Sequence, residues 1–212
     1  MPLVTKDHAL VALQNAWPLI VSETRQVLAG ELHYQAMIYH ALRVAGPVPL
    51  MQLGMNVKQW ITNVTTDLFK QLDLRHAEGF GGGFEPIPDV VIFGTGAAGN
   101  WQRRSYEATL QHMLLAVEVK ASERHKSRLR SKDIHFDIRK LAAHRDEVRA
   151  RGGDFEPVMM IIDVAKDPQE RMDSRTLALS RELAGSMGVS LFYVSPDSEF
   201  ADFPSGGESE HS

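Results

Sequence analysis

The sequence predicts an α/β domain layered around a sheet. Three observations lead there. Short apolar runs rich in β-branched residues recur at Val90–Phe93, Leu114–Lys120, Val158–Val164 and Val189–Val194. Two helical patterns, Ser131–Arg151 and Gln169–Met187, alternate with those runs. Glycines follow each helix, Gly152 and Gly153 after the first and Gly188 after the second. Alternating strands and helices of this kind bury a sheet beneath helices.

The elements follow in chain order. The first 45 residues read as helical, with Leu28, Leu32, Gln35, Tyr39 and Leu42 at helical spacing. Gly46, Pro47 and Pro49 end that helix. Residues 50–78 are ambiguous, because helical spacing competes with short β-rich pieces such as Trp60–Thr66. Gly79–Gly83 is a glycine-rich loop. Val90–Phe93 is a strand introduced by Pro88, and Leu114–Lys120 is a second. The helix Ser131–Arg151 places Ile134, Ile138, Leu141 and Val148 on one face. Asp133 in its first turn and Arg149 and Arg151 in its last suit the helix dipole. The helix Gln169–Met187 presents Met172, Leu179, Leu183 and Met187.

At 212 residues, 43% hydrophobic and 24% charged, the chain suits one domain of ordinary size and excludes collagen, low-complexity and wholly disordered chains. With no cysteine it has no disulfide, thiolate metal site or cysteine nucleophile, which fits a cytoplasmic location. No apolar run approaches the roughly 18–20 residues of a membrane helix, so no membrane partner is expected. Met1–Leu13 lacks the basic-then-apolar pattern of a secretory signal. The net charge of −4 argues against a generic basic coat for nucleic acid, but the charge is uneven. Glu118–Arg151 holds eleven Lys/Arg against six acids, whereas Pro196–Ser212 holds five acids and no Lys or Arg. The acidic segment 196–212, with Pro204, Gly206 and Gly207, reads as a disordered tail. The basic stretch reads either as a solvated helix face or as a surface for phosphates.

Two chemical readings compete for residues 88–120. In the first, strand alternation puts Glu118 and Lys120 on one face and Leu115, Val117 and Val119 on the other. A charged pair at the end of a buried strand is costly unless something satisfies it. A divalent cation held also by Asp89, on the neighbouring strand, would do so, and two carboxylates with a carbonyl and waters suit Mg²⁺. The plain alternative is an ion pair at the sheet edge, with Asp89 a turn residue. In the second reading, Gly94-Thr95-Gly96-Ala97-Ala98-Gly99 is a literal GxGxxG after the strand VVIF, and Glu118 stands where a ribose-binding acid would. Against it, the helix that should follow, Asn100–His112, is short and polar, and about 88 residues precede a unit that usually opens the domain. The glycines alternatively form a loop between two strands.

Pro88, Asp89, Glu118 and Lys120, in this order of elements, resemble the PD-(D/E)xK nuclease superfamily, which includes many restriction endonucleases. The resemblance spans roughly residues 25–195 by element order, helix, three strands, helix, strand, with the first strand expected within 60–84. It implies a three-layer α/β/α, restriction-endonuclease-like fold with a central mixed sheet, formed by a single domain over 1–195 with a helical N-terminal part. It implies a metal-dependent nuclease acting on phosphodiester bonds, DNA by family analogy. Asp89 and Glu118 would hold Mg²⁺, with Mn²⁺ as substitute, and the Val119 carbonyl would be a further ligand. Lys120 would position the attacking water. Glu31, in line with Gln35, Ile38 and Leu42, would be an accessory acid or else a surface glutamate. Arg124, Lys126, Arg128 and Arg130 would meet the phosphate backbone. His135, Arg139 and Gln35 could touch a phosphate or simply be solvated. Loops, a homodimer or a partner protein would supply any sequence specificity. A non-catalytic binding or assembly module on the same fold is the alternative function.

Overall fold

The computed structural model describes residues 1–73, 83–123 and 127–203. Arg124, Lys126, most of the Gly79–Gly83 loop and the end of the acidic segment lie outside the described residues.

Helix α1 (Lys6–Thr24) starts at Thr5, whose hydroxyl accepts the His8 N–H at 3.2 Å, satisfying one of the free donors of the first turn. Helix α2 (Glu31–Val44) returns beside it and stops at the Gly46-Pro47 sequence, as expected. The turn just after α2 passes close to α1 at Gly46, where a Cβ would lie 2.6 Å from the Ala12 carbonyl oxygen. There follow β1 (Leu53–Met55), α3 (Asp67–Gln71), β2 (Val90–Phe93), α4 (Tyr106–Gln111), β3 (Met113–Ala121), α5 (Ser131–Arg149), β4 (Glu156–Ile162), α6 (Ser174–Ser186), β5 (Ser190–Val194) and β6 (Glu199–Asp202).

The six strands form one mixed sheet in chain order. β1, β2 and β3 are antiparallel neighbours, β3, β4 and β5 are parallel, and β6 closes the far edge antiparallel. The parallel pairs need crossovers, and α5 and α6 supply them. Helices cover both faces. On one side Leu13, Ile20, Ile38 and Leu42 of α1 and α2 pack on Ile92, Val117, Val119, Met160 and Phe192. On the other, Ile134, Ile138 and Leu141 of α5 and Ala184 of α6 pack on Met159, Ile161 and Leu191. A third apolar group, around Phe69, Phe93 and Phe155, fills the end under α3 and α4. α1 and α2 thus complete the core.

Four expectations change. The first strand is β1, at residues 53–55 rather than within 60–84, where the described residues hold only an isolated bridge between Ile61 and Phe84. Leu28 precedes α2 and Leu32 is 66% exposed, so the buried face is Tyr34, Gln35, Ile38, Ala41 and Leu42. α6 begins at Ser174, because the Asp173 carboxylate caps it by accepting the Thr176 N–H at 2.8 Å, and Leu179 faces solvent. The domain also continues past residue 195. Glu199–Asp202 is strand β6, held by stacking of Phe200 on Tyr193 at 5.3 Å and by the Arg181–Asp202 ion pair at 2.7 Å. Acid content concealed an edge strand whose apolar residues pack inward. No helix among the described residues is long and apolar enough to cross a membrane.

Candidate active site

The site arises from unequal strand lengths. β2 begins at Val90, opposite Val117, but β3 runs four residues further, to Ala121. Beyond Val117 the β2 side of β3 has lost its ladder partner. Asp89 fills the place. Its own N–H donates to the Val117 carbonyl at 3.1 Å, and its carboxylate Oδ2 accepts the Val119 N–H at 2.6 Å. The N–H and C=O of one strand residue point to the same side, so the Val119 carbonyl is directed to the same gap. A side-chain carboxylate thereby replaces a backbone carbonyl of the missing strand.

Helix α2 closes the gap from above. Gln35 donates from Nε2 to Asp89 Oδ1 at 2.7 Å, and its Oε1 accepts from Asn56 Nδ2 at 3.1 Å. Gln35 is buried and orients the aspartate. Glu31, one turn earlier, approaches Lys120 Nζ at 3.4 Å. From beneath, α5 contributes Asp137 and Lys140. Asp137 lies 3.3 Å from Lys120 and 3.1 Å from Lys140, and Lys140 Nζ donates to Glu118 Oε1 at 2.7 Å.

The electrostatics follow from this burial. Desolvation and the nearby Glu118 push the Asp89 carboxyl up to about 7, against the pull of the Val119 N–H and the two lysines. Desolvation also raises Glu118, although Lys140 opposes it. For Lys120, burial disfavours the ammonium, but Asp137, Glu31 and Glu118 outweigh it and hold the pKa above the ordinary lysine value. Lys140 behaves alike, with Glu118 and Asp137 outweighing desolvation. Both amines are therefore cations at neutral pH. Fully ionised, the four acids and two lysines carry a net charge of −2, which one divalent cation would balance. Burial is the main cause that raises both Asp89 and Glu118, and the neighbouring Glu118 adds to the shift of Asp89.

Of the residues singled out from sequence, Asp89, Glu118, Lys120 and Glu31 are brought together, and Gln35 joins them as the aspartate's partner. Arg128 and Arg130 line the cleft that opens beside Lys120, but both are engaged. Arg128 donates to the Gln169 carbonyl at 2.8 Å and lies 3.8 Å from Asp173, while Arg130 pairs with Asp133 at 2.8 Å. Arg139 is exposed on α5. Sequence reasoning missed Asp137 and Lys140. A signal existed for the first, because Asp137 stands three residues after Ile134 and four before Leu141, an acid at the border of the apolar stripe of α5.

The glycine motif has a different role. A dinucleotide fingerprint needs a strand, a helix N-terminus and a parallel second strand. Here β2 and β3 are antiparallel, and the glycines lead into the short turn Thr95–Ala97 rather than a long helix. Gly96 instead packs on His112, whose ring atoms would lie within 2.6 Å of an added Cβ. Gly94, Gly96 and Gly99 belong to a compact loop joining neighbouring strands, and the α4 helix that follows is six residues long. Comparison with protein-family models, with curated proteins and with solved structures gave no match.

Proposed function

We propose that the chain is a metal-dependent nuclease of the PD-(D/E)xK type, with a restriction-endonuclease-like core. The reading rests above all on one observation: a buried cluster with a two-charge excess of carboxylate, at the end of β3, beside an open cleft. The order α2, β1, β2, β3, α5, β4 supports it, since it matches helix, three strands, helix, strand, with the first three strands antiparallel and the fourth parallel to the third.

Asp89, Glu118 and the Val119 carbonyl form a donor set of hard oxygens that suits Mg²⁺ or Mn²⁺. Among the described residues no three acidic or histidine side chains converge as a complete ion cage, so on this reading the ion would be held by two carboxylates, a carbonyl and waters. When bound, the ion supplies positive charge to the phosphate and activates water. Gln35 and the Val119 N–H fix the rotamer of Asp89, so its remaining lone pairs are pre-aimed. Lys120 commits two donors to Glu31 and Asp137. An ammonium has three, and Lys120 lines the cleft, where its third donor can orient a water or stabilise charge on a phosphoryl oxygen. Asp137 keeps Lys120 protonated. Lys140 tempers the charge of Glu118.

The test is cleavage of plasmid and of labelled DNA and RNA oligonucleotides with Mg²⁺ or Mn²⁺. Wild type should cut. Asp89→Ala and Lys120→Ala should each lose at least about 100-fold in rate, within the range that one electrostatic group contributes. Folded wild-type protein that binds no metal and cuts no substrate would overturn the reading in favour of a non-catalytic module.

A further inference from the structure

The cleft beside Lys120 has a volume of about 390 Å³, and Lys120, Ser122, Ser127, Arg128, Arg130 and Phe136 are among the residues that line it. Phe136 is 40% exposed and belongs to none of the three apolar clusters among the described residues. It sits on the polar side of α5, one residue before Asp137, whose carboxylate holds Lys120. Asp133, Phe136, Asp137 and Lys140 recur at helical spacing, so the exposed ring and the buried ion cluster share one stripe of the helix. Neither core packing nor helix propensity calls for an aromatic there.

Resting on the nuclease reading, we infer that this cleft receives one unpaired nucleotide, with its base stacked on Phe136 and its phosphate directed to Lys120, so that the substrate is single-stranded nucleic acid. Size, shape and chemistry agree. The volume lies at the small end of ligand pockets, roughly 300–1,000 Å³, which admits a nucleotide but not a base pair. A duplex hides its base faces, so an exposed ring beside a phosphate-binding amine is useful only on an unstacked base. Stacking tolerates any base, because each has a π-face. Among the described residues, the acids lining the cleft outnumber the bases by four to three. A polyanion therefore enters only when a divalent cation offsets the carboxylates, which makes binding metal-dependent.

The experiment measures fluorescence anisotropy of labelled oligo(dT), and of a blunt hairpin duplex of similar length, on the full chain with Ca²⁺ and with EDTA. Wild type should bind oligo(dT) at least about tenfold more tightly than the hairpin with Ca²⁺, and weakly in EDTA. Phe136→Ala should weaken oligo(dT) binding about 5- to 100-fold, the range of a single base–aromatic stack, with an unchanged circular dichroism spectrum. Phe136→Trp should retain binding, and its indole fluorescence should be quenched by oligo(dT). Equal affinity of Phe136→Ala and wild type for oligo(dT), or preference of wild type for the hairpin, would overturn the inference. If wild type cuts duplex as well as single strands with Mn²⁺ and Phe136→Ala cuts both unchanged, this inference fails while the nuclease reading stands. If oligo(dT) binding needs Phe136 and no cleavage occurs with any metal, the single-strand site stands and the nuclease reading fails.

Discussion

Lys140 Nζ lies 2.7 Å from Glu118 Oε1, so the counter-ion of the strand glutamate comes from helix α5 and not from Lys120, two residues along the same strand. Lys120 turns instead to Glu31 and Asp137. The two lysines divide the work. One tempers the Glu118 carboxylate, and the other is held at the cleft. Breaking a buried pair by removing one partner strands the other charge, typically at 3–5 kcal/mol. Because Lys140 is about one-fifth exposed, Lys140→Met should cost about 2–4 kcal/mol in urea unfolding at pH 8. Lys140→Met combined with Glu118→Gln should recover more than half of that loss, and strict additivity of the two single variants would show that the pair is not coupled.

Asp89 links stability to pH. Its carboxyl is pushed up to about 7 in the folded chain, against about 3.9 for an unperturbed aspartate. The folded state thus holds the proton more tightly than the unfolded state. Its contribution to stability is complete below about pH 4 and is lost as pH rises through 7. Without metal, the melting temperature of wild type relative to Asp89→Asn should fall between pH 5 and pH 8.

On the proposed metal site, a bound ion should reverse that trend, because ion binding needs the ionised carboxylates and stabilises by mass action. Millimolar Mg²⁺ or Mn²⁺ should raise the melting temperature more at pH 8 than at pH 6, and Asp89→Ala should abolish the rise. An equal rise in that variant would place the ion elsewhere.

Arg128 and Arg130 must exchange Asp173 and Asp133 for phosphates if nucleic acid binds in the cleft. Reversing both to glutamate should weaken oligonucleotide binding and reduce the slope of log affinity against log salt by about 0.7 per lost contact on a single strand. An unchanged slope would return these arginines to surface ion pairs.

Truncation after Ser195 removes β6 and with it the Phe200–Tyr193 stack and the ion pairs of Arg25 with Glu199 and Arg181 with Asp202. The melting temperature should fall on the order of 5–10 °C, and the exposed edge of β5 should promote aggregation. A truncated chain as stable as the full one would show β6 to be dispensable.

The buried strands β2 to β5 and the helix α5 were legible because their patterns are local: continuous β-branched runs, a 3.6-residue apolar stripe and a glycine stop. The motif residues Asp89, Glu118 and Lys120 were legible for the same reason, as polar groups punctuating apolar strands. β1 was not, because three residues cannot display an alternation. β6 was hidden by its acids, which reach solvent and arginines while Phe200 and Ala201 pack on β5 and the core. The GxGxxG spacing suggested a phosphate loop, but the direction of the next strand, antiparallel, is a tertiary property that no spacing encodes.

The sequence by itself determined an α/β layer structure and placed an acid at the start of one strand and an acid and an amine at the end of the next, since strand periodicity is set by covalent geometry. Only the tertiary structure decided who partners whom. The early end of β2 leaves Val119 without a ladder partner, so Asp89 turns to it, α2 delivers Gln35 and Glu31 from one side and α5 delivers Asp137 and Lys140 from the other. Those residues lie up to about a hundred positions apart in the chain. Their charges interact strongly because packing removes the water between them, and the dielectric environment belongs to the fold rather than to any stretch of sequence.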